Sequence, residues 1–327
     1  MKTAMMAWVA VLGLAACQSP KPGAPGAAAP AKGPVVGGLG TRVAEANASD
    51  LRITKDGRFA AYLTDVDKPR LNGAPQYLRV GELFVVGTDG KAPARRLGQG
   101  ATNAPGGFLF TADSSRVLYL VGYSAADQAG ELRVASLADA ASASERLGGR
   151  VTYFTAGPDS QTVAFVDEGS LKVGPLPAGP FREVATEVTT AVFSPAGNHV
   201  YFGRRMALGG GLYQVAVDKG SPTRVADQVG DFHFSADGKV LAFASRSSAG
   251  APGYDLFVTD VTALKPKVVA RKVLTFSFGP GDKTLVYTTG DSPQSPGDLF
   301  VSKVTGGDPT PLGTKVRDFQ FSADGSR

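Results

Sequence analysis

Hydrophobic and polar residues alternate in short stretches along most of the chain. The stretch FHFSADGKVLAF places Phe232 and Phe234 on one side of a strand, because side chains two residues apart share a face. Asp237 and Gly238 then form a turn signal. Phe243 continues the pattern beyond the turn. The stretch therefore predicts two antiparallel strands joined by a tight turn.

This pattern occurs seven times along the chain. The first two occurrences are 57 residues apart, and the later ones follow at intervals of 37 to 46 residues. The positions equivalent to Asp237 are Asp56, Asp113, Asp159, Ala196, Gly281 and Asp324. A third strand follows each complete repeat at motifs such as GELFV and YDLFV. A fourth strand closes each complete repeat, and in successive repeats it ends near Leu97, Leu147, Val184, Val225, Val269 and Leu312. Four short strands per repeat, almost without helix signals, predict an all-β fold, a β-propeller of four-stranded blades.

The repeat F-S-A-D-G-K-x-L-A-F followed by D-L-F-V resembles the TolB-type, WD40-like propeller repeat, and the resemblance covers residues 41–327. It implies the propeller fold and leaves the function open, because one scaffold carries many functions. Where TolB proteins have a small α/β domain, this chain has a segment rich in proline and glycine.

The two ends of the repeat region complement each other. The segment TRVAE at 41–45 copies TRVAD at 223–227, a predicted fourth strand, and the segment 316–327 has the pattern of a first strand with its turn. Propellers commonly complete one blade from both ends of the chain, which removes unpaired edges. We therefore expect six complete blades plus parts of a seventh, truncated, with a gap or a poorly paired strand at that place.

The N-terminal residues have the pattern of a secretion signal. A positive start and a short apolar run predict a signal peptide at 1–16. The residues before Cys17 resemble a bacterial lipobox, which implies cleavage there and lipid attachment to Cys17; an ordinary signal peptide is the alternative. Gln18 at the next position implies the outer membrane, facing the periplasm. Residues 17–40 predict an extended tether.

Loop lengths vary on one side of the predicted blades. From the second-strand aromatic to the third-strand leucine the spacing is 21, 13, 6, 10, 13 and 12 residues, whereas from that leucine to the fourth strand it is 13 to 15. Loops after second and fourth strands emerge on the same face, and variable loops on a rigid scaffold usually carry recognition. The candidate binding residues on this face are Lys68, Arg70, Tyr77, Arg79, Asn103, Arg204 and Arg205.

The sequence offers little catalytic chemistry. His199 and His233 are the only histidines, which argues against a multi-histidine metal centre, and no G-x-S-x-G motif is present. Aspartate beside glycine is first a turn former, and the regular period of the aromatics assigns them to the core between blades. The signal and tether supply part of the formal net charge of +5, and the charge that remains for the propeller is too small to indicate nucleic acid. We expect no cofactor, no metal and no catalytic residue.

Two functions are compatible with these features. The first is a monomeric, membrane-tethered, non-catalytic scaffold that binds an envelope protein or a cell-wall component. The second is the propeller of a prolyl-oligopeptidase-type hydrolase whose catalytic domain is missing from this chain. The combination of lipobox, tether and propeller favours the first.

Overall fold

The computed structural model describes residues 48–67, 78–104, 106–139, 141–205, 210–246, 253–290, 292 and 295–321. They form antiparallel strands and a single turn of 3-10 helix at Pro280–Asp282. The predicted signal peptide and tether lie outside these ranges, as do Cys17, Lys68, Arg70 and Tyr77. Within them, no helix has the length and apolar character needed to cross a membrane.

The first unit is a four-stranded sheet with the order β1-β2-β3-β4. Its strands are β1 (Ser49–Ile53), β2 (Phe59–Asp67), β3 (Val80–Gly87) and β4 (Arg95–Thr102). The predicted Asp-Gly turn joins β1 to β2, and Gly57 has a φ of 74°, which glycine adopts without strain. The repeated sequence pattern thus forms a strand, a turn and a second strand that pairs antiparallel with the first.

A seven-stranded sheet follows, and it consists of two four-stranded units that share one long strand. Its strands are β5 (Phe108–Phe110), β6 (Arg116–Ser124), β7 (Ala129–Ser136), β8 (Glu145–Ala156), β9 (Thr162–Asp167), β10 (Ser170–Pro175) and β11 (Arg182–Ala185). The first half of β8 pairs with β7, as Gly148 does with Leu132. Its second half pairs with β9, as Phe154 does with Phe165. The strand β8 therefore ends the second unit and begins the third.

The remaining strands repeat this arrangement. The fourth unit has β12 (Val188–Phe193), β13 (His199–Arg204), β14 (Leu212–Ala216) and β15 (Thr223–Ala226). The fifth and sixth units share β19 and comprise β16 (Val229–Phe234), β17 (Val240–Arg246), β18 (Tyr254–Asp260), β19 (Lys267–Phe278), β20 (Thr284–Thr289), β21 (Gly297–Lys303) and β22 (Thr310–Val316). The described residues are therefore all-β, in four-stranded antiparallel units.

The apolar residues that recur in each repeat form the contacts between consecutive units. We call the positions five and three residues before the turn position, occupied by Phe232 and Phe234 in the fifth unit, the two columns. Phe108 and Tyr119 of the second unit are fully buried and pack with Ala61, Leu63 and Leu83 of the first. Burying a large apolar side chain stabilises a fold by roughly 1.5–3 kcal/mol. Repeated at each junction, this burial holds neighbouring units together.

The first unit departs from this pattern. Leu51 and Ile53 belong to the same columns, which the sequence assigned to the core, yet each is 57% exposed. That assignment is wrong for these two residues, because the column faces the preceding unit and no described unit precedes the first. At the other end, β22 stops at Val316, and residues 317–321, expected as a first strand, form no strand.

Candidate functional site

Two kinds of loop meet on one face of the units. In successive units, a backbone N–H at the end of the second strand, or one residue beyond it, donates to a carbonyl of the connection that leads into the first strand. Arg205 donates to Glu187 at 3.1 Å, and Arg246 donates to Gln228 at 3.0 Å. We call this surface, formed by residues after second strands and by connections between fourth and first strands, the loop face. The expectation that both kinds of loop share a face agrees with these bonds.

Arg79 and Asn103 lie together on the loop face. The N–H of Arg79 donates to Oδ1 of Asn103 at 2.8 Å, and the N–H of Asn103 donates to the carbonyl of Arg79 at 3.2 Å. Nδ2 of Asn103 also donates to Asp50 Oδ1 at 3.1 Å. Through these hydrogen bonds, Asn103 stabilises the connection between the first two units.

Arg204 and Arg205 share one carboxylate. Nη2 of Arg204 lies 3.6 Å from Glu187 Oε2, and Nε of Arg204 donates to the Thr186 carbonyl at 3.0 Å. Arg205 pairs with Oε1 of Glu187, and this hydrogen bond raises the pKa of Arg205. The guanidinium of Arg204 also lies 5.6 Å from the ring centre of Tyr213. Two guanidiniums on one carboxylate leave an excess positive charge at the surface.

The structure adds an open cleft of about 330 Å³, lined by charged and small apolar residues, that the sequence did not indicate. Arg150 and Asp127 line it, with Nη2 of Arg150 3.6 Å from Asp127 Oδ1. Glu131 also lines it and pairs with Arg133 at 2.6 Å. Sequence reasoning missed this site because Arg150 lies in the middle of the continuous strand β8, where no loop signal marks it.

The repeated aspartates lie in the turns on the opposite face, between first and second strands, which we call the turn face. Thr111 Oγ1 donates to Asp113 Oδ1 at 2.6 Å, and Ser235 Oγ donates to Asp237 Oδ1 at 2.7 Å. Burial opposes ionisation of Asp113, but the bonds from Thr111 and Ser115 outweigh it and lower its pKa to about 2. These aspartates therefore act as turn formers, as the sequence predicted.

The histidines have structural surroundings. Nε2 of His233 lies 3.0 Å from Asp231 Oδ2, and its ring packs edge-on against Phe276 with centroids 5.1 Å apart. His199 lies in β13 and pairs with Ala216 of β14. Across the described ranges, no group of three or more His, Cys, Asp or Glu side chains is placed to hold a metal ion.

No protein-family model and no curated protein matches this sequence. Among solved structures, TolB from Acinetobacter baumannii is 18% identical over 80% of this chain and 65% of its own, with a TM-score of 0.42. A TolB from Agrobacterium tumefaciens is 18% identical over 71% of this chain and 90% of its own, with a TM-score of 0.40. An oligogalacturonate lyase in complex with manganese is 13% identical over 82% of this chain and 84% of its own, with a TM-score of 0.50.

This chain is thus similar in structure to TolB proteins from two bacteria, as its repeat implied. It spans about 65% of the length of the first. Because both TM-scores lie below 0.5, the fold assignment rests on the strand order and on the repeat. The likeness to the lyase concerns the fold alone, and manganese and lyase activity belong to that protein.

Proposed function

We propose that this protein is a membrane-tethered lipoprotein of the cell envelope whose propeller is a non-catalytic binding scaffold. In this proposal, Cys17 carries the lipid, the tether holds the propeller away from the outer membrane in the periplasm, and the loop face binds an envelope protein or a cell-wall component. The propeller is a monomer with six complete blades and parts of a seventh at its two ends.

The observation that carries the binding proposal is that the two faces differ: one consists of hydrogen-bonded turns and the other of connections that vary in length. The turn-face aspartates are engaged in hydrogen bonds within their own turns. The loop face instead brings together connections of unequal length and places Arg79 beside Asn103 and Arg205 beside Glu187. Rigid turns on one side and variable loops on the other are typical of a recognition scaffold.

Exposed basic side chains on the loop face offer contacts to an acidic partner, beside carboxylates such as Glu187 on the same face. Arg205, Arg246, Lys272 and Lys315 are exposed at successive connections on this face. Complementary charge steers association and selects partners more than it adds affinity. An envelope protein with an acidic surface or an anionic wall polymer fits these residues.

A pair of charge-reversal variants tests this proposal. The loop-face variant is Arg205→Glu with Arg246→Glu; the matched control is Lys55→Glu with Lys239→Glu, which changes the net charge equally at exposed turn-face positions. Each protein is used to capture partners from envelope extracts and to co-sediment with purified cell wall. We expect the loop-face variant to lose about tenfold in recovery and the control to lose little. Equal recovery by the loop-face variant and the wild type contradicts the choice of face.

A further inference from the structure

The cleft lies on the loop face, where the second and third units meet. Asp127 belongs to the connection between β6 and β7, and Arg150 lies where β8 passes from the second unit to the third. Gly122, Gly130 and Gly149 also line it, so part of its wall carries no side chains. Small-molecule sites have volumes of roughly 300–1,000 Å³. At about 330 Å³, the cleft has room for a ligand of the size of an amino acid.

The main chain of Arg150 is held from both sides. Its N–H donates to Asp167 Oδ1 at 2.9 Å, and its carbonyl accepts from the N–H of Glu168 at 3.2 Å. Asp167 is in turn held by Nζ of Lys172 at 2.8 Å. The side chain of Arg150, in contrast, is 62% exposed. A fixed backbone therefore presents an accessible guanidinium to the cleft, and less ordering is needed when a ligand binds.

The ion pair across the cleft is weak. Nη2 of Arg150 and Oδ1 of Asp127 are 3.6 Å apart, beyond the range of about 2.7–3.2 Å that is typical of a hydrogen bond. Both side chains are exposed by more than half. Exposed pairs of this kind stabilise a fold by less than about 1 kcal/mol. Both charges therefore remain accessible to a ligand.

The second carboxylate of the cleft, Glu131, has closer partners. It accepts from Nε of Arg133 at 2.6 Å, and Nε of Arg146 lies 3.2 Å from its other oxygen. Two guanidiniums therefore compensate the charge of Glu131. Asp127 is left with the longer pair, and the three arginines exceed the two carboxylates by one positive charge.

We propose that this cleft binds the head group of an α-amino acid, with the carboxylate at Arg150 and the ammonium at Asp127. An α-amino acid carries both charges on one carbon atom, so it requires a cation and an anion side by side. The guanidinium can donate to both carboxylate oxygens, and the ammonium can donate to Asp127. This inference goes beyond the proposed function, because the ligand is a small molecule and not an envelope protein.

Two sources present this head group. One is a free amino acid. The other is a peptide in which one residue keeps both its α-ammonium and its α-carboxylate, as the glutamate of a γ-glutamyl peptide does. The chemistry at Arg150 and Asp127 is the same for both, so the experiment includes a probe for each.

Calorimetric titration of the full chain tests the proposal with four probes. Alanine carries both charges, N-acetylalanine lacks the ammonium, alaninamide lacks the carboxylate, and γ-glutamylalanine presents the head group on a peptide. We expect alanine to bind with a dissociation constant on the order of 1 mM and the two singly charged probes to bind at least about tenfold more weakly. Tighter binding of γ-glutamylalanine than of alanine would assign the site to a peptide; equal or weaker binding would assign it to a free amino acid.

Variants locate the binding. Arg150→Gln and Asp127→Asn should each weaken alanine binding about tenfold. The matched controls are Lys91→Gln and Asp89→Asn, which remove the charges of an exposed pair 3.5 Å apart in the connection between β3 and β4. The controls should bind alanine as the wild type does. The melting temperature of each variant is measured alongside, and it should change little because all four side chains are exposed.

Three results would overturn the proposal. They are equal affinity for alanine and N-acetylalanine, unchanged alanine binding in Arg150→Gln and Asp127→Asn, and no saturable heat at alanine concentrations about tenfold above the expected dissociation constant. Partner capture through Arg205 and Arg246 is a separate measurement, so the proposed function and this proposal can fail independently.

Discussion

Replacing Phe154 with alanine tests the packing between consecutive units. Phe154 is 1% exposed and packs among Leu118, Leu132 and Phe165, where the second and third units meet. Removing a buried phenylalanine side chain costs about 3–5 kcal/mol, because the lost transfer free energy adds to that of the cavity left behind. For a domain of this size, about 2–4 °C of melting temperature corresponds to each kcal/mol, so we expect a fall of roughly 6–20 °C.

The matched control is Leu51→Ala, at the equivalent column position of the first unit. Leu51 is 57% exposed, so its truncation should cost less than about 1 kcal/mol. Both variants are followed by circular dichroism during heating and in urea, with the denaturant slope compared to detect departure from two-state unfolding. Equal losses in the two variants would refute the reasoning, since burial against the preceding unit would then not distinguish the two positions.

Three further predictions address the anchor, a turn and the loop face. Cys17→Ser should move the protein from the membrane fraction to the soluble periplasmic fraction, as assayed by fractionation; unchanged membrane association would argue against the lipid anchor. Wild-type stability should fall with pH from about 4 to about 2 as Asp113 is protonated, since its pKa is lowered to about 2 in the folded state. Thr111→Val should be less stable at pH 7 and show a shallower dependence in that window, measured by urea unfolding at stepped pH. Gly107→Ala should destabilise the protein by about 1–3 kcal/mol in the same assay, because the new Cβ would lie 1.9 Å from the Thr102 carbonyl oxygen; a neutral effect would show that the connection near Asn103 relaxes freely.

The sequence predicted the four-strand repeat because a spacing of two residues and a turn signal are local properties. Burial of the same column is not local, which is why Leu51 and Phe108 share a pattern but not an environment. Loop topology predicted that Arg79 and Asn103 lie on one face, and their direct contact is a finding of the structure. By contrast, the cleft at Arg150 and Asp127 depends on how β8 runs between two units, which no single repeat reveals. The hydrogen bonds between consecutive turns likewise join residues in different repeats, and only the distances reveal them.

The two faces divide the chemical roles of the repeat. Polar side chains of the turns, such as Ser160 and Asp282, bond to the adjacent unit and fix its position. Charged side chains of the loop face, such as Arg205, pair locally and remain exposed. Substitutions on the turn face should therefore act on stability, and substitutions on the loop face should act on binding.

Site-specific photo-crosslinking in living cells tests the proposed binding face most directly. A photoreactive amino acid replaces Arg205 on the loop face in one strain and Lys239 on the turn face in another, both exposed. A specific adduct of higher mass at position 205, with none at position 239, is the result we predict. Adducts at position 239 alone would contradict the assignment of the loop face as the binding surface.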